Sequence, residues 1–152
     1  MCGIAGIIDF ATGAVDKQEV ASLCDTMAHR GPDDSGVWVH RNVGLGARRL
    51  AVIDLSERGH QPRSNPDGTV WIVFNGEIYN FQSLRQQLER HGYRFQSQTD
   101  TEVVLHAYQH WGKGCLERLA GMFAFAIWDA RSSTLLAARD RLGVKPFFYM
   151  TQ

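Results

Sequence analysis

Hydrophobic residues along the chain predict strands that come in runs, with helices inserted irregularly between them. The segments 3–8 and 122–128 are continuously apolar, which is typical of strands covered on both faces. Shorter strands are predicted at 36–40, 44–48, 50–54, 69–74, 93–95 and 134–138. This order favours an α+β arrangement over a regular parallel array of strand-helix-strand units.

Three helices are predicted from apolar stripes and from residues that can cap a helix. Asp16 and Glu19 have capping-box spacing, as do Thr99 and Glu102, so helices should begin at these two points. The stripes are Val20, Leu23, Cys24 and Met27, then Phe81, Leu84 and Leu88, then Val103, Val104, Ala107, Tyr108 and Trp111. The segment 146–150 resembles the opening of a further strand without a partner, which predicts that the chain is a piece of a longer protein.

Composition and charge limit the function classes. The 152 residues suit one domain, and a quarter of them are Leu, Ile, Val or Phe, enough for a hydrophobic core. Sixteen basic residues balance sixteen acidic ones without clusters, so we expect no nucleic-acid or membrane partner. Three widely spaced cysteines without a C-x-x-C pair predict reduced thiols in a cytoplasmic protein.

Cys2 is a candidate nucleophile. Removal of Met1 would leave a residue that carries both a thiol and a free amine. An α-amino group titrates near about 7.8 and a thiol near about 8.5, so the amine can accept the thiol proton at little cost. The terminal amine would then be the nucleophile's own base. The alternative is a small buried residue that only packs.

Three further polar positions each have two interpretations. Asn75-Gly76 after a strand indicates either a two-residue hairpin turn or an oxyanion hole. In Arg48-Arg49, an arginine could hold a carboxylate, or the pair could keep a strand edge soluble. Asp100 is either a helix-capping residue or the partner of a substrate ammonium group.

Metal and nucleotide chemistry have weaker support. His106 and His110 are one helical turn apart, but the sequence shows no third ligand, so a solvated helix face is the simpler interpretation. Asp33 and Asp34 are explained by a turn. No glycine-rich phosphate loop occurs, so we expect neither a metal nor an ATP site in this chain.

Eight short motifs recur in the order of a known family. The chain resembles the N-terminal glutaminase domain of class II glutamine amidotransferases, in particular the glutamine-hydrolysing asparagine synthetases, over essentially all 152 residues. The motifs are Met1-Cys2-Gly3-Ile4, Arg30-Gly31-Pro32-Asp33, Arg49-Leu50, Gln61-Pro62, Asn75-Gly76-Glu77-Ile78-Tyr79-Asn80, Thr99-Asp100-Thr101-Glu102, Gly121-Met122-Phe123-Ala124-Phe125-Ala126 and Arg139-Asp140-Arg141-Leu142-Gly143.

The resemblance implies a four-layer αββα fold of the N-terminal-nucleophile hydrolases, with two stacked antiparallel sheets between helical layers. We expect residues 1–152 to form the glutaminase domain of a longer protein, truncated at its C-terminal edge. The family pattern implies a following ATP-dependent synthetase domain that receives the ammonia, and ATP and Mg would belong to that domain rather than to this chain. The resemblance does not decide whether the protein forms a homodimer.

The resemblance also implies the roles of particular residues. Cys2 would attack the side-chain amide of L-glutamine, forming a thioester that water cleaves to glutamate. Asn75 and Gly76 match the oxyanion hole, Arg49 matches the α-carboxylate site, Asp100 and Glu77 match the α-amino site, and Leu50, Val52 and Ile53 line the pocket. Two alternatives are a non-catalytic glutamine-binding or scaffolding module and an amidotransferase domain that serves another acceptor, such as a sugar. A metal hydrolase using His106 and His110 is a third.

Overall fold

The computed structural model describes residues 1–151, in which two antiparallel sheets lie between helices. The strands are β1 (Gly3–Ile8), β2 (Asp34–His40), β3 (Val43–Arg49), β4 (Arg63–Ser64), β5 (Val70–Ile78), β6 (Gly121–Asp129) and β7 (Thr134–Arg139). The helices are α1 (Lys17–Thr26), α2 (Phe81–Arg90) and α3 (Asp100–Trp111), with short 3-10 segments at Ala28–Arg30, Glu57–Gly59 and Gly112–Glu117. None of the described helices is long and apolar enough to cross a bilayer.

The first sheet has the order β1-β3-β2, and α1 covers one of its faces. Alternation along β3 explains this packing. Val43, Leu45 and Ala47 are buried between the two sheets, whereas Gly44 and Gly46 lie under α1. A Cβ at Gly46 would lie 2.3 Å from the Cys24 sulfur, so the helix can approach this strand only because the position is glycine.

The second sheet has the order β4-β5-β6-β7, and its central pair runs in register from Val70 opposite Asp129 to Ile78 opposite Gly121. The larger hydrophobic core lies between this sheet and the helices α2 and α3, with Phe125 and Leu105 fully buried. A smaller core fills the space between the sheets. The resulting order of helix, sheet, sheet and helices confirms the predicted αββα layers.

The predicted helix starts are confirmed. The Asp16 carboxylate accepts a hydrogen bond from Gln18 N at 2.9 Å, and the Thr99 hydroxyl accepts one from Glu102 N at 3.3 Å. The second half of the box differs, because the Glu102 carboxylate accepts from the backbone of residues 96 and 97 instead of residue 99. Glu102 is therefore a buried acid that binds the backbone of the loop before α3.

Two predicted strands are wrong. In the described chain the segment 50–54 is not a strand, and Ser56 N donates to the Asp54 carboxylate in a turn there. Residues 93–95 pack against α3 by their side chains without strand pairing. β1 contacts α1 on one face and β5 on the other, but Gly6 is exposed, so the predicted cover of both faces is incomplete. The segment 146–150, predicted to lack a strand partner, pairs with no strand in the described chain.

Candidate active site

One cavity brings together all nine residues that the sequence predicts for the site. It lies where the start of β1, the end of β3, the middle of β5 and the first turn of α3 meet. The nine residues that line it are Cys2, Arg49, Leu50, Val52, Ile53, Asn75, Gly76, Glu77 and Asp100.

The Cys2 thiol lies at the wall of this cavity, next to the end of β3. Its sulfur accepts a hydrogen bond from Leu50 N at 3.4 Å, and the Arg30 side chain donates to the Cys2 carbonyl at 3.3 Å. The first residues of the chain are therefore held from both sides.

The other two cysteines differ from Cys2 in their burial. Cys24 and Cys115 are fully buried in the hydrophobic interior, and burial raises the pKa of each thiol, that of Cys115 to about 11.

Arg49 provides a buried cation to the cavity. Its guanidinium is held from behind, since it donates to the carbonyls of Ser56, at 3.2 Å, and of Asp54. A Cβ at Gly59 would lie 1.9 Å from a guanidinium nitrogen, so glycine there is what admits the arginine. Within residues 1–151, Arg49 forms no ion pair with a carboxylate. Arg48, its neighbour, instead pairs with Asp25 outside the cavity.

Asp100 provides a buried acid to the same cavity. Its carboxylate accepts a hydrogen bond from Ile78 N at 3.0 Å, and no Arg, Lys or His of residues 1–151 forms an ion pair with it. Burial raises the pKa of Asp100 to about 6, although backbone N–H groups oppose the shift, and the nearby Glu77 charge adds to it. Arg49 and Asp100 thus bring to the cavity a cation and an acid, neither of which has an ion-pair partner among residues 1–151.

Gly76 lies inside β5, so the hairpin-turn interpretation of Asn75-Gly76 is wrong. Gly76 is opposite Phe123 of β6. The backbone N–H and carbonyl of Phe123 both form hydrogen bonds on the side of β6 that faces away from β5. Phe123 N donates to the Asp140 carboxylate at 3.2 Å, and its carbonyl accepts from Asp140 N at 2.8 Å. Gly76 and Phe123 are therefore a non-hydrogen-bonded pair, and the Gly76 N–H points away from β6.

The same edge of β5 carries the N–H groups of Phe74 and Ile78, and both have partners. Phe74 N donates to the Gln61 side chain at 2.6 Å, and Ile78 N donates to Asp100 at 3.0 Å. Gly76 N lies between them without a partner in residues 1–151. The strand therefore presents one open backbone donor to the cavity, beside the buried Asn75.

The remaining predicted residues form the rim. Glu77 is exposed, and the side chains of Val52 and Ile53 are 64% and 42% exposed, while Leu50 is half-buried. These residues border the opening of the cavity rather than its floor. Glu77 is thus an exposed acid whose charge acts on the buried Asp100.

Three of the cavity residues that were not assigned a role from the sequence have a clear one in the structure or are deeply buried there. Gln61 supports the β5 edge, Gly59 makes room for Arg49, and Lys145 is 3% exposed and lines the same space. Gln61 stood in a recognised motif, but its backbone partner is thirteen residues away. Lys145 follows a turn near the end of the described chain, and no local pattern connects it to Cys2.

The two histidines do not form a metal centre with other residues in the described chain, where no group of three His, Cys, Asp or Glu side chains could hold an ion. The solvated-face interpretation is wrong for His106, which is buried between Tyr93 and Phe95 and pairs with Gln109 at 2.8 Å. It holds for His110, which is exposed.

Comparison with known proteins gives consistent results. A family model described as glutamine amidotransferase domain matches residues 1–152. The chain is 49% identical to glutamine-hydrolyzing asparagine synthetase 3 of Bacillus subtilis, covering 98% of this chain and 25% of that protein. It is 41% identical to putative glutamine-hydrolyzing asparagine synthetase 2 of Methanocaldococcus jannaschii, covering 98% of this chain and 32% of that protein.

A solved structure shows the same fold. Glutamine phosphoribosylpyrophosphate amidotransferase from B. subtilis superimposes with a TM-score of 0.74 at 23% identity, covering 96% of this chain and 38% of that chain. This chain therefore spans between a quarter and about two fifths of the length of the proteins it matches.

Proposed function

This chain belongs to the family of glutamine amidotransferase domains, and from that premise we propose that its cavity hydrolyses L-glutamine to glutamate and ammonia. Cys2 is the nucleophile of this reaction once Met1 has been removed. The observation that carries the proposal is the content of the cavity, which combines a thiol, an unpaired guanidinium, a carboxylate without a counter-ion and an open N–H donor.

The charges fit the two ends of an amino acid. Arg49 binds the α-carboxylate with its planar fork, and Asp100 binds the α-ammonium group, with Glu77 adding negative charge at the rim. Neither buried charge has an ion-pair partner among residues 1–151, so a ligand that lacks the carboxylate or the ammonium group would leave one of the two charges without a counter-ion. Leu50, Val52 and Ile53 border the pocket beside the substrate.

The chemistry follows from the placement of the thiol and the open donor. The Cys2 α-amine accepts the thiol proton, and the sulfur attacks the side-chain amide carbon of glutamine. The Asn75 amide and Gly76 N–H donate to the oxygen that becomes negative. The C–N bond then breaks, and the amine returns its proton to the departing ammonia. Water cleaves the thioester, which releases glutamate and restores the thiol.

The use of the ammonia is a separate part of the proposal. Residues 1–152 form the glutaminase domain of an asparagine synthetase-like protein, and an ATP-dependent synthetase domain of that protein consumes the ammonia. The 49% identity to a glutamine-hydrolyzing asparagine synthetase supports this assignment. We place the reaction in the cytoplasm, because the three free thiols of the described chain suit a reducing compartment.

Replacement of Cys2 tests the proposal. After intact-mass measurement shows that Met1 is absent, Cys2→Ala should lower glutamine hydrolysis by at least about 1,000-fold, because the nucleophile is lost. Glutamine binding, measured by isothermal titration calorimetry, should change little. Cys24→Ala and Cys115→Ala are matched controls that should keep turnover, since both thiols lie outside the cavity.

Two outcomes would contradict catalysis by Cys2. Unchanged turnover in Cys2→Ala would remove the nucleophile from the mechanism. Retained Met1 on a protein that binds glutamine without hydrolysing it would support the alternative of a glutamine-binding module.

A further inference from the structure

Lys145 is a buried cation that the reaction described above does not use. Its side chain is 3% exposed, lines the same cavity as Cys2 and reaches the Met1 sulfur with its ammonium group. Within residues 1–151 it forms no ion pair with any carboxylate. Burying an ammonium group without a counter-ion is costly, so its position calls for a partner that the unprocessed chain does not supply.

The backbone around Lys145 is fixed to the start of the central strand β6. One Asp140 oxygen accepts from Lys145 N at 2.9 Å and from Phe123 N at 3.2 Å, and the other accepts from Val144 N at 2.9 Å. Gly143 completes the turn with φ +67°. These hydrogen bonds lower the pKa of Asp140 against the effect of burial, which alone would raise it. The loop is therefore rigidly attached to the sheet and directs Lys145 toward the beginning of the chain.

Removal of Met1 changes what Lys145 meets. The ammonium group loses the Met1 sulfur, and Lys145 is left in the cavity that the new first residue, Cys2, also lines. The other charged groups that line the cavity are Arg49, Asp54, Glu77 and Asp100. Arg49, Glu77 and Asp100 belong to the two ends assigned to the substrate, and the Asp54 carboxylate accepts from Ser56 N in a turn. Lys145 is thus the charge in the cavity that contacts residue 1 and has no assigned task.

We propose that Lys145 is a positioning residue whose positive charge stabilises the thiolate of processed Cys2 and orients the first residue for attack. The inference rests on the proposed function. The Cys2 thiol proton moves to the α-amine, the sulfur keeps the electron pair, and Lys145 neither gains nor loses a proton. A cation close to a thiolate increases the fraction of the thiol that is ionised, which raises its reactivity at neutral pH.

The experiment compares three variants in the processed protein. Lys145→Met removes the charge but keeps the length of the side chain, Lys145→Arg keeps the charge, and Lys113→Met is the control at an exposed lysine. The readout is the rate at which iodoacetamide alkylates Cys2 between pH 6 and 9, followed by peptide mass mapping. Cys24 and Cys115 are buried and serve as internal unreactive thiols.

We expect Lys145→Met to slow alkylation of Cys2 about tenfold at pH 7, and to move the pH at which the rate is half-maximal upward by about one unit. kcat should fall about tenfold or more while KM for glutamine changes less than about threefold, because the substrate groups keep their partners. Lys145→Arg should restore most of both rates, and Lys113→Met should match the wild type.

Equal alkylation rates in Lys145→Met and Lys113→Met would overturn the inference, even if turnover falls. Should Lys145→Met fail to fold by circular dichroism, Lys145→Arg and Lys145→Gln replace it, and equal Cys2 reactivity in those two would overturn the inference as well. Failure of the proposed function is distinguishable, because processed wild-type protein would then hydrolyse no glutamine whatever the alkylation rates show.

Discussion

The first turn of α3 carries two buried acids that face different parts of the molecule. Asp100 and Glu102 are two residues apart and are 4% and 3% exposed. Glu102 lies on the side of the loop before the helix, while Asp100 faces the cavity. Their surroundings differ more than their exposure does, and this difference separates a structural acid from one that is available to a ligand.

Glu102 is completely paired by its own chain. Its carboxylate accepts from the backbone N–H groups of Gln96 and Ser97 and from the Ser97 hydroxyl, and it forms an ion pair with Arg63 at 2.8 Å. His106 lies 3.7 Å away. Burial alone would raise the pKa of Glu102, but these partners outweigh it and hold the pKa well below the usual range.

Asp100 has far fewer polar partners in the described chain than Glu102. Hydrogen bonds from backbone N–H groups, that from Ile78 N among them, do not compensate for burial, so the pKa of Asp100 rises to about 6 where that of Glu102 falls. A protein that buries an acid without a cation pays for it in stability, and the comparison with Glu102 shows that the same helix turn can do otherwise. We infer that Asp100 is kept unpaired for a positively charged ligand group.

The largest expected effect concerns the structural acid. Glu102→Ala should lower the free energy of unfolding by about 3 to 5 kcal/mol, because it leaves Arg63 and the Ser97 backbone without their buried partner. Urea denaturation at pH 7 measures it. The matched control is Glu89→Ala, which removes an exposed acid from its pair with the partly buried Arg85 and should cost less than about 1 kcal/mol. Equal losses in the two variants would erase the distinction between a buried and an exposed acid.

The cavity acid should affect binding instead. Asp100→Asn keeps an acceptor for Ile78 N but removes the charge, so glutamine affinity should fall about 30- to 150-fold, which is about 2 to 3 kcal/mol. Calorimetry in a Cys2→Ala background measures binding without turnover. Glu77→Gln, at the exposed rim, should change affinity less than about fivefold. Unchanged affinity in Asp100→Asn would show that this acid does not bind the substrate.

The smallest effect is the pH dependence of stability. The folded pKa of Asp100, about 6, lies above the ordinary value of 3.8, so the folded protein binds a proton at pH 4 to 6 that the unfolded chain does not. This group's contribution to stability is therefore full below about pH 4 and is lost as the pH rises through 6. The expected loss between about pH 4 and 7 is about 2 kcal/mol.

The comparison of wild type with Asp100→Asn isolates this term, because Glu102 is present in both and its opposite dependence, a loss of stability as the pH falls below about 4.5, cancels. Asp100→Asn should gain stability relative to wild type as the pH rises from 4 to 7. A constant difference across that range would contradict the raised pKa.

Local sequence patterns predicted much of the fold, but they did not predict which segments are buried by neighbours that are distant in the sequence. The starts of α1 and α3 follow from capping residues that bond within their own turn, so sequence spacing suffices for Asp16 and Thr99. The buried or exposed state of β1 does not follow from its composition, because it depends on which strands lie beside it. His106 likewise occurs at a spacing typical of a surface, and only the aromatic rings of residues 93 and 95 bury it.

The nine site residues were predicted from the family resemblance, seven of them within quoted motifs and Val52 and Ile53 beside one. The structure places all nine around one cavity, while their roles stay predictions. Gln61 and Gly59 were not assigned because each acts on a residue ten or more positions away, Phe74 and Arg49 respectively. Lys145 was missed for the same reason, since 144 positions separate it from the residue it contacts.

The sequence by itself determined which chemical groups this protein has and where its local elements begin, because capping, apolar stripes and motif order act over a few residues. Only the tertiary structure decided which groups are paired. Within residues 1–151, it gave Glu102 a cation and left Asp100 without one, and it gave acceptors to the N–H groups of Phe74 and Ile78 but not to that of Gly76. Whether a polar group is paired depends on which groups lie close to it in the folded chain. Because these groups are buried, a partner or the lack of one has a large effect on the free energy of folding.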